Sequence, residues 1–397
     1  MQKFHRFVPL DRWAEERSYF IFGPRQTGKS TILRDLFPSA RWFNLFEADT
    51  FRDLARRPEM IRKSLKAADR FIVIDEIQRL PSLLNEVQVM IDTHPRLRFL
   101  LTGSSQRSLR RKGTNMLAGR ARVMQLHPLV WPEAGQEWWV KRLLWGGMPG
   151  ILQATDPRTE LNAYVGTYLQ EEVRVEGTVR SMESFARVMD VAGLCNGELL
   201  NFTKIGDDAA VPPRLVREYF QLIEDTLIGF QVPPFQGGKK RKPVSTAKFY
   251  FFDTGVAHRL MDLKSLGRGS QAFGHALEHF IALELRAWLS YTRSPEALEY
   301  WRTLTHLETD FVIGGRWAIE VKASARIAHR DMKGLRQIAA EADFERRVMV
   351  CMEPQAWQTD DGIEIMPVTE FLTDLWSRPG MAPAQAAVPA RKKRRSS

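Results

Sequence analysis

Residues 18–31 read SYFIFGPRQTGKST, and this stretch decides the fold. Ser18 to Phe22 is a short apolar run of the kind a buried strand needs. It enters Gly23 to Ser30, which fits the phosphate-loop pattern G-x-x-x-x-G-K-S/T without a mismatch. The segment behind it, KSTILRDLF, has helical spacing. Gly23 and Gly28 permit a tight loop whose backbone N–H groups turn inward around phosphates. The helix N-terminus near Lys29 adds a favourable dipole. Lys29 is expected to neutralise the β- and γ-phosphates of ATP, and the Ser30 hydroxyl to ligate Mg²⁺. Pro24, Arg25, Gln26, Thr27 and Thr31 complete the expected nucleotide-binding set.

Two further apolar runs extend the pattern. Arg70 to Ile74 (RFIVI) predicts a second buried strand, and Leu97 to Thr102 (LRFLLT) a third. Strands alternating with helical segments argue for an α/β layer with a mostly parallel sheet. The second strand delivers Asp75 and Glu76 to its carboxyl end, beside the phosphate loop. Asp75 is expected to hold Mg²⁺, directly or through water, and Glu76 to polarise the attacking water. A solvated turn is the alternative for such a pair. Thr102 or Ser104, ending the third strand, is the candidate to bind the γ-phosphate or position water. Arg120 and Arg122, in LAGRARV, are candidates to neutralise γ-phosphate charge in a neighbouring subunit of a homo-oligomer. Their alternative is an ordinary exposed arginine.

The chain of 397 residues is long enough for two or three domains. Its 44% hydrophobic and 26% charged content is ordinary for a globular protein. No apolar run reaches the roughly 18 residues of a membrane helix, and the start, MQKFHRFVPLDRW, lacks a signal-peptide pattern. The expected location is cytoplasmic, without a membrane partner. Cys195 and Cys351 lie far apart with no CxxC neighbour, so two buried or half-buried thiols are expected rather than zinc or a disulfide. The net charge is +11, and six basic residues from Arg378 onward (Arg378, Arg391, Lys392, Lys393, Arg394, Arg395) leave +5 for the rest. Overall basicity is therefore weak support for a nucleic-acid-binding body, while the tail RKKRRSS is either an electrostatic anchor or a solvated, disordered end.

Around Trp131 to Gly150 the texture turns aromatic, with paired glycines and prolines, which predicts a domain boundary. LNAYVGTYLQEEV, SFARVMDVAGLC and RLVREYFQLIEDTLI then show helical spacing, with GDDAAVPP as a break. A basic loop (237–243) precedes the strand KFYFFD and a helix over Ala276 to Leu289. EYWRTL, ETDFVI and RWAIEVKA read as three consecutive strands, followed by a helix from Asp331 to Ala342 and a strand at RVMVCM.

Together GPRQTGKS, VIDEIQ (73–78), LLTGSS, LAGR, LHPLVWPE (126–133), GGMP (146–149), LVREYFQLIEDTLI, KFYFFDTGVAH (248–258), GHALEHFIALEL and TDFVI…IEVKAS resemble a family of prokaryotic AAA-type ATPases. Members carry a C-terminal domain of largely unassigned function. The likeness spans nearly the whole chain apart from the tail. It implies an AAA-type core with a parallel sheet (1–135), a helical and winged-helix-like middle (136–236), a restriction-endonuclease-like α/β domain (237–377) and a disordered tail (378–397). In the middle, a first short helix is expected at Leu199 to Ile205 and a longer one at Pro213 to Ile228. There Lys204, Arg214 and Arg217 could face phosphates, although Glu218, Glu224 and Asp225 share the second helix. A structural or subunit-contact role is the alternative.

ETDFVIGGRWAIEVKA also resembles the active-site hairpin of PD-(D/E)xK nucleases. Asp310 ends one strand, and period-two alternation puts Glu320 and Lys322 on one face of the next. Asp310 and Glu320 could share a Mg²⁺, Lys322 could orient water, Glu278 could complete the acidic cluster, and Glu308 shares the face of Asp310. Ordinary exposed acid–base alternation is the competing reading. The leading expectation is thus a Mg-dependent ATPase acting on or with DNA or another nucleic acid, with a C-terminal nuclease or binding site. The alternative is an ATP-gated switch for a protein partner with an inactive C-terminal domain. A small-molecule kinase is a third reading, disfavoured by the long extensions.

Overall fold

Period-two alternation splits the first strands between two cores. The strands are β1 (Ser18–Phe22), β2 (Arg41–Asn44), β3 (Phe71–Asp75), β4 (Arg98–Gly103) and β5 (Ala121–Gln125). Tyr19, Ile21, Val73 and Leu100 enter one apolar cluster, while Phe20, Phe22, Ile72, Ile74, Phe99 and Leu101 enter another. Burial on both faces is the usual condition of a parallel sheet. The order is β2-β3-β4-β1-β5, and every pairing is parallel. The computed structural model describes residues 3–105, 117, 119–168, 181–237 and 246–381.

Helices Met182–Leu194, Phe202–Ala209 and Pro213–Asp225 follow, then the antiparallel hairpin β6 (Gly229–Val232) and β7 (Lys248–Phe251). The middle helix begins at Phe202 rather than Leu199, because the Asn201 side chain caps it through the Lys204 N–H at 3.0 Å. Leu199 instead forms a bridge to Lys248. The third helix stops at Asp225, and Leu227 turns to φ 61°. Phe249 and Phe251 share a core with Phe185, Val216, Phe220 and Ile223. A β-ladder therefore crosses the boundary expected after residue 236, and ties 248–251 to the preceding helices.

The last sheet runs β12-β13-β11-β10-β9-β8. Its strands are β8 (Leu298–Arg302), β9 (Glu308–Ile313), β10 (Trp317–Lys322), β11 (Arg346–Cys351), β12 (Trp357–Gln358) and β13 (Ile363–Pro367). β8, β9 and β10 are antiparallel neighbours, whereas β10, β11 and β13 run parallel. The helix expected over 276–289 runs Gln271–Tyr291, capped by Ser270 on the Phe273 N–H at 3.1 Å. The helix expected over 331–342 is a 3₁₀ turn, His329–Met332, followed by a short α-helix, Lys333–Ile338. Tyr300 on β8 exchanges backbone bonds with the chain leaving β6, as its N–H donates to Pro233 O at 3.0 Å and its carbonyl accepts from Phe235 at 2.7 Å. The hairpin is thereby stitched to the last sheet.

Both cysteines are free thiols, Cys351 buried and Cys195 half-buried, and burial pushes the Cys351 thiol up to about 11. Among the described residues no helix is long and apolar enough to cross a membrane. Most of the basic loop, the tail beyond residue 381 and the end of LNAYVGTYLQEEV lie outside the described residues.

Candidate functional site

The phosphate loop leaves β1 after Phe22 and closes into the helix Lys29–Leu36. Gly28 caps that helix at φ 90°, the left-handed region that favours glycine. A Cβ on Gly23 would lie 2.5 Å from the backbone oxygen of Leu126, so the position has no room for a side chain. Thr27 Oγ1 donates to Pro24 O at 2.9 Å and braces the turn. The buried Lys29 ammonium lies on the Gly23 and Pro24 carbonyls at 2.7 and 3.1 Å.

Parallel pairing brings the carboxyl ends of β1, β3 and β4 together. Ser30 Oγ donates to Asp75 Oδ2 at 2.8 Å, which joins the loop to the acid pair. Thr102 is fully buried; its hydroxyl donates to Asp75 Oδ1 and accepts the Glu76 N–H at 3.0 Å. Glu76 has φ 63°, an uncommon conformation for a residue with a side chain. Its carboxylate accepts from Gln78 Nε2, which also donates to Ser104 Oγ at 3.1 Å. Thr102 and Ser104 thus engage the two acids and Gln78. Two hard oxygen donors, Ser30 and Asp75, side by side suit a Mg²⁺ ion.

Arg120 and Arg122 sit elsewhere. Ala121 is opposite Ser18 and Gln125 opposite Phe22, so both arginines lie at the amino end of the sheet. At about 3.3 Å per residue the strand separates Arg120 from the loop by roughly 15 Å. There Arg120 pairs with Asp92 at 2.6 Å and Arg122 with Glu16 at 3.4 Å. Neither reaches the phosphate loop of its own chain along this sheet.

Arg6 carried no signal in the sequence, yet it ties the loop to the rest of the molecule. It donates to Thr27 O at 2.7 Å, to His127 O at 2.6 Å and to the Tyr291 hydroxyl at 3.2 Å. It also pairs with Glu133 at 3.1 Å. Tyr291 ends the long helix Gln271–Tyr291, so one side chain spans the loop and the last unit. Beside Gly28 and Thr31 lies a cavity of about 140 Å³, lined also by Lys3, Phe4, Arg6 and Gln153.

A second set of ionisable groups gathers at the last sheet. Asp310 Oδ2 accepts the Val321 N–H at 2.8 Å, and Lys322 pairs with Glu320 at 2.7 Å. Glu278, on the long helix, accepts from the Tyr250 hydroxyl at 2.6 Å. The residue that sequence reasoning missed is Lys248 on β7. Its ammonium lies 3.0 Å from Glu278 and 3.7 Å from Asp310, and also binds Glu308. The signal was present as the period-two face of KFYFFD, which puts Lys248 and Tyr250 together. Burial pushes the Asp310 carboxyl well up, with Glu320 adding to it, and pushes Glu320 up to about 7. Burial also raises Glu278, but the Lys248 ammonium and the Tyr250 hydroxyl together outweigh it and hold that carboxyl below its ordinary value. Glu320 Oε2 is buried without a hydrogen-bond partner. Among the described residues no group of three or more His, Cys, Asp or Glu side chains is arranged to hold a metal ion.

Arg214 is exposed and pairs with Glu218 at 3.5 Å, while Arg217 stacks over Phe202. Glu224 accepts from Gln231 N at 3.0 Å. The third helix of the middle unit therefore presents mixed charge.

Three family models match consecutive parts of the chain. Residues 15–134 match an AAA domain, 136–267 a domain of unknown function (DUF8612) and 273–371 another (DUF4143). The second match ends at 267, beyond β7, in keeping with the ladder between β6 and β7. Uncharacterized proteins of Mycobacterium tuberculosis and Mycobacterium bovis are each 26% identical over 364 residues, covering 89% of this chain and 80% of theirs. Among solved structures, a signal transduction ATPase with numerous domains and a tetratricopeptide repeat sensor, from Pyrococcus horikoshii, is similar at 13% identity with a TM-score of 0.23. That likeness covers 71% of this chain and 45% of that one.

Proposed function

We propose that the chain binds ATP with Mg²⁺ at the phosphate loop and hydrolyses it. The observation that carries this reading is the 2.8 Å bond between Ser30 and Asp75, which joins the loop to an acid pair buried at a strand tip. Lys29 exchanges two neutral carbonyls for charged phosphate oxygens, a stronger acceptor for an ammonium. Bound Mg²⁺ would neutralise phosphate charge. Glu76 orients the attacking water, with Gln78 and Thr102 fixing its carboxylate and backbone. The cavity beside Gly28 and Thr31 suits the nucleoside end. A trans-acting Arg120 requires a neighbouring subunit, since its own loop lies at the other end of the sheet.

Three helices followed by a two-stranded hairpin support a winged-helix-like reading of the middle unit, and with it association with DNA or another nucleic acid through Lys204, Arg214 and Arg217. A second reading is an ATP-gated switch for a protein partner, with a last unit that does not cut. The Lys248 ammonium among the acids favours it.

Phosphate release with and without DNA at low salt, in the parent, Lys29→Ala and Glu76→Gln, tests both. Both variants should lose turnover by orders of magnitude while Glu76→Gln still binds nucleotide. Unchanged turnover in Glu76→Gln removes Glu76 from its role. Absence of stimulation by DNA or RNA favours the switch.

A further inference from the structure

Lys248 comes from outside the unit whose acids it meets. It belongs to β7, which pairs with β6 and packs against the middle helices. Its backbone is fixed by that ladder and by the bridge to Leu199. The side chain crosses to the last unit and is almost fully buried there. Three carboxylates converge on the ammonium: Glu278 from the long helix, and Glu308 and Asp310 from β9. The Tyr300 ring lies 5.8 Å from it on a further side. Of the three, Glu278 and Glu308 lie within hydrogen-bonding distance of the ammonium, and Asp310, at 3.7 Å, acts on it by charge alone.

A divalent ion does not fit beside it. Mg²⁺ requires near-octahedral oxygens at about 2.0–2.1 Å. Here Asp310 Oδ2 is taken by the Val321 N–H, and Glu278 by the Tyr250 hydroxyl. Lys248 Nζ shares that Glu278 oxygen with the Tyr250 hydroxyl and faces the second Asp310 oxygen and one Glu308 oxygen, while Arg302 holds the other Glu308 oxygen at 3.1 Å. Glu320, the remaining acid of the hairpin, is paired through Oε1 with Lys322, while its buried Oε2 has no hydrogen-bond partner, a single open oxygen that does not make up a metal's coordination shell. Four carboxylates thus face the three cations Lys248, Arg302 and Lys322, which leaves little uncompensated charge to attract a further cation.

We propose that the Lys248 ammonium is a built-in cation, donated by the middle unit, that occupies the place of a divalent metal between Glu278, Glu308 and Asp310. The last unit therefore takes no metal at this cluster while the hairpin is docked. The proposal stands apart from ATP hydrolysis, and its test uses no nucleotide.

Mn²⁺ binding to the full-length, nucleotide-free chain, followed by loss of the free-ion signal in electron paramagnetic resonance, decides it. Glu278→Gln in each background assigns uptake to this cluster rather than to Ser30 and Asp75. The parent should show no uptake that depends on Glu278 at about 1 mM Mn²⁺, the weak end of oxygen-ligand sites. Lys248→Met should gain a Glu278-dependent site roughly tenfold tighter or better. Glu278-dependent uptake in the parent overturns the proposal, as does a folded Lys248→Met that gains none. If Lys248→Met does not fold, the parent measurement decides alone: absence of Glu278-dependent uptake upholds the proposal and its presence sinks it.

Discussion

Replacing Thr102 by valine keeps the shape of the side chain and removes one oxygen. That oxygen is fully buried, donates to Asp75 and accepts the Glu76 N–H at 3.0 Å. A hydrogen bond to a charged group is worth about 1.5–3 kcal/mol, and a buried N–H left without an acceptor costs about 1–3 kcal/mol. The two terms overlap at one atom, so a total of about 2–4 kcal/mol is expected. Part of it lowers stability and part frees Glu76 to leave the position proposed for orienting water. At about 1.4 kcal/mol per decade, half of the total reaching the transition state slows turnover by roughly 5- to 30-fold. Urea unfolding and phosphate release measured on Thr102→Val, with Thr102→Ser as the rescue, read the two parts separately. Thr102→Ser should recover most of both. A valine variant within twofold of the parent in turnover, and about 0.5 kcal/mol in stability, would refute the role of this hydroxyl.

Two further outcomes follow from other parts of the molecule. Burial depresses the His279 imidazole to about 3, and its neighbours require the neutral ring: Nε2–H donates to Phe251 O at 2.7 Å and Nδ1 accepts from Asn196 at 3.2 Å. The unfolded chain takes the proton first, so this stability is fully present above about pH 6.5. It is lost as pH falls towards 3, at about 1.4 kcal/mol per unit. His258, depressed to about 4 by burial, adds to this slope, whereas the buried Asp253, raised to about 6, opposes it below pH 6. His279→Gln should flatten the fall between pH 6 and 5 by about 1 kcal/mol in guanidinium titrations, and an unchanged slope contradicts the assignment. Gly23→Ala would drive a Cβ to 2.5 Å from Leu126 O, so the loop must shift. ATP affinity, followed by a fluorescent nucleotide, should fall by roughly tenfold or more, and parental affinity would show that the loop has slack.

What could be read from the residues depended on how local each signal was. The phosphate loop is contiguous, and its residue types follow from the backbone shape and charge that phosphates demand. Asp75 and Glu76 were legible because an apolar strand must deliver its last residues to one edge of the sheet. The hairpin acids were legible from alternation, which assigns Glu320 and Lys322 to one face. Helix ends were less legible, since Asn201 and the turn at Leu227 settled them through single caps.

By itself the sequence determined the phosphate-binding loop, the strand-tip acids and the run of strands and helices, because each is written within a window of a few residues. Only the tertiary structure decided the partners: that Thr102 bonds both acids, that Arg6 joins Thr27 to Tyr291, and that Lys248 lies among Glu278, Glu308 and Asp310. The physical reason is that a buried charge takes whatever counter-charge the fold brings within about 4 Å, and chain separation places no limit on where that counter-charge originates.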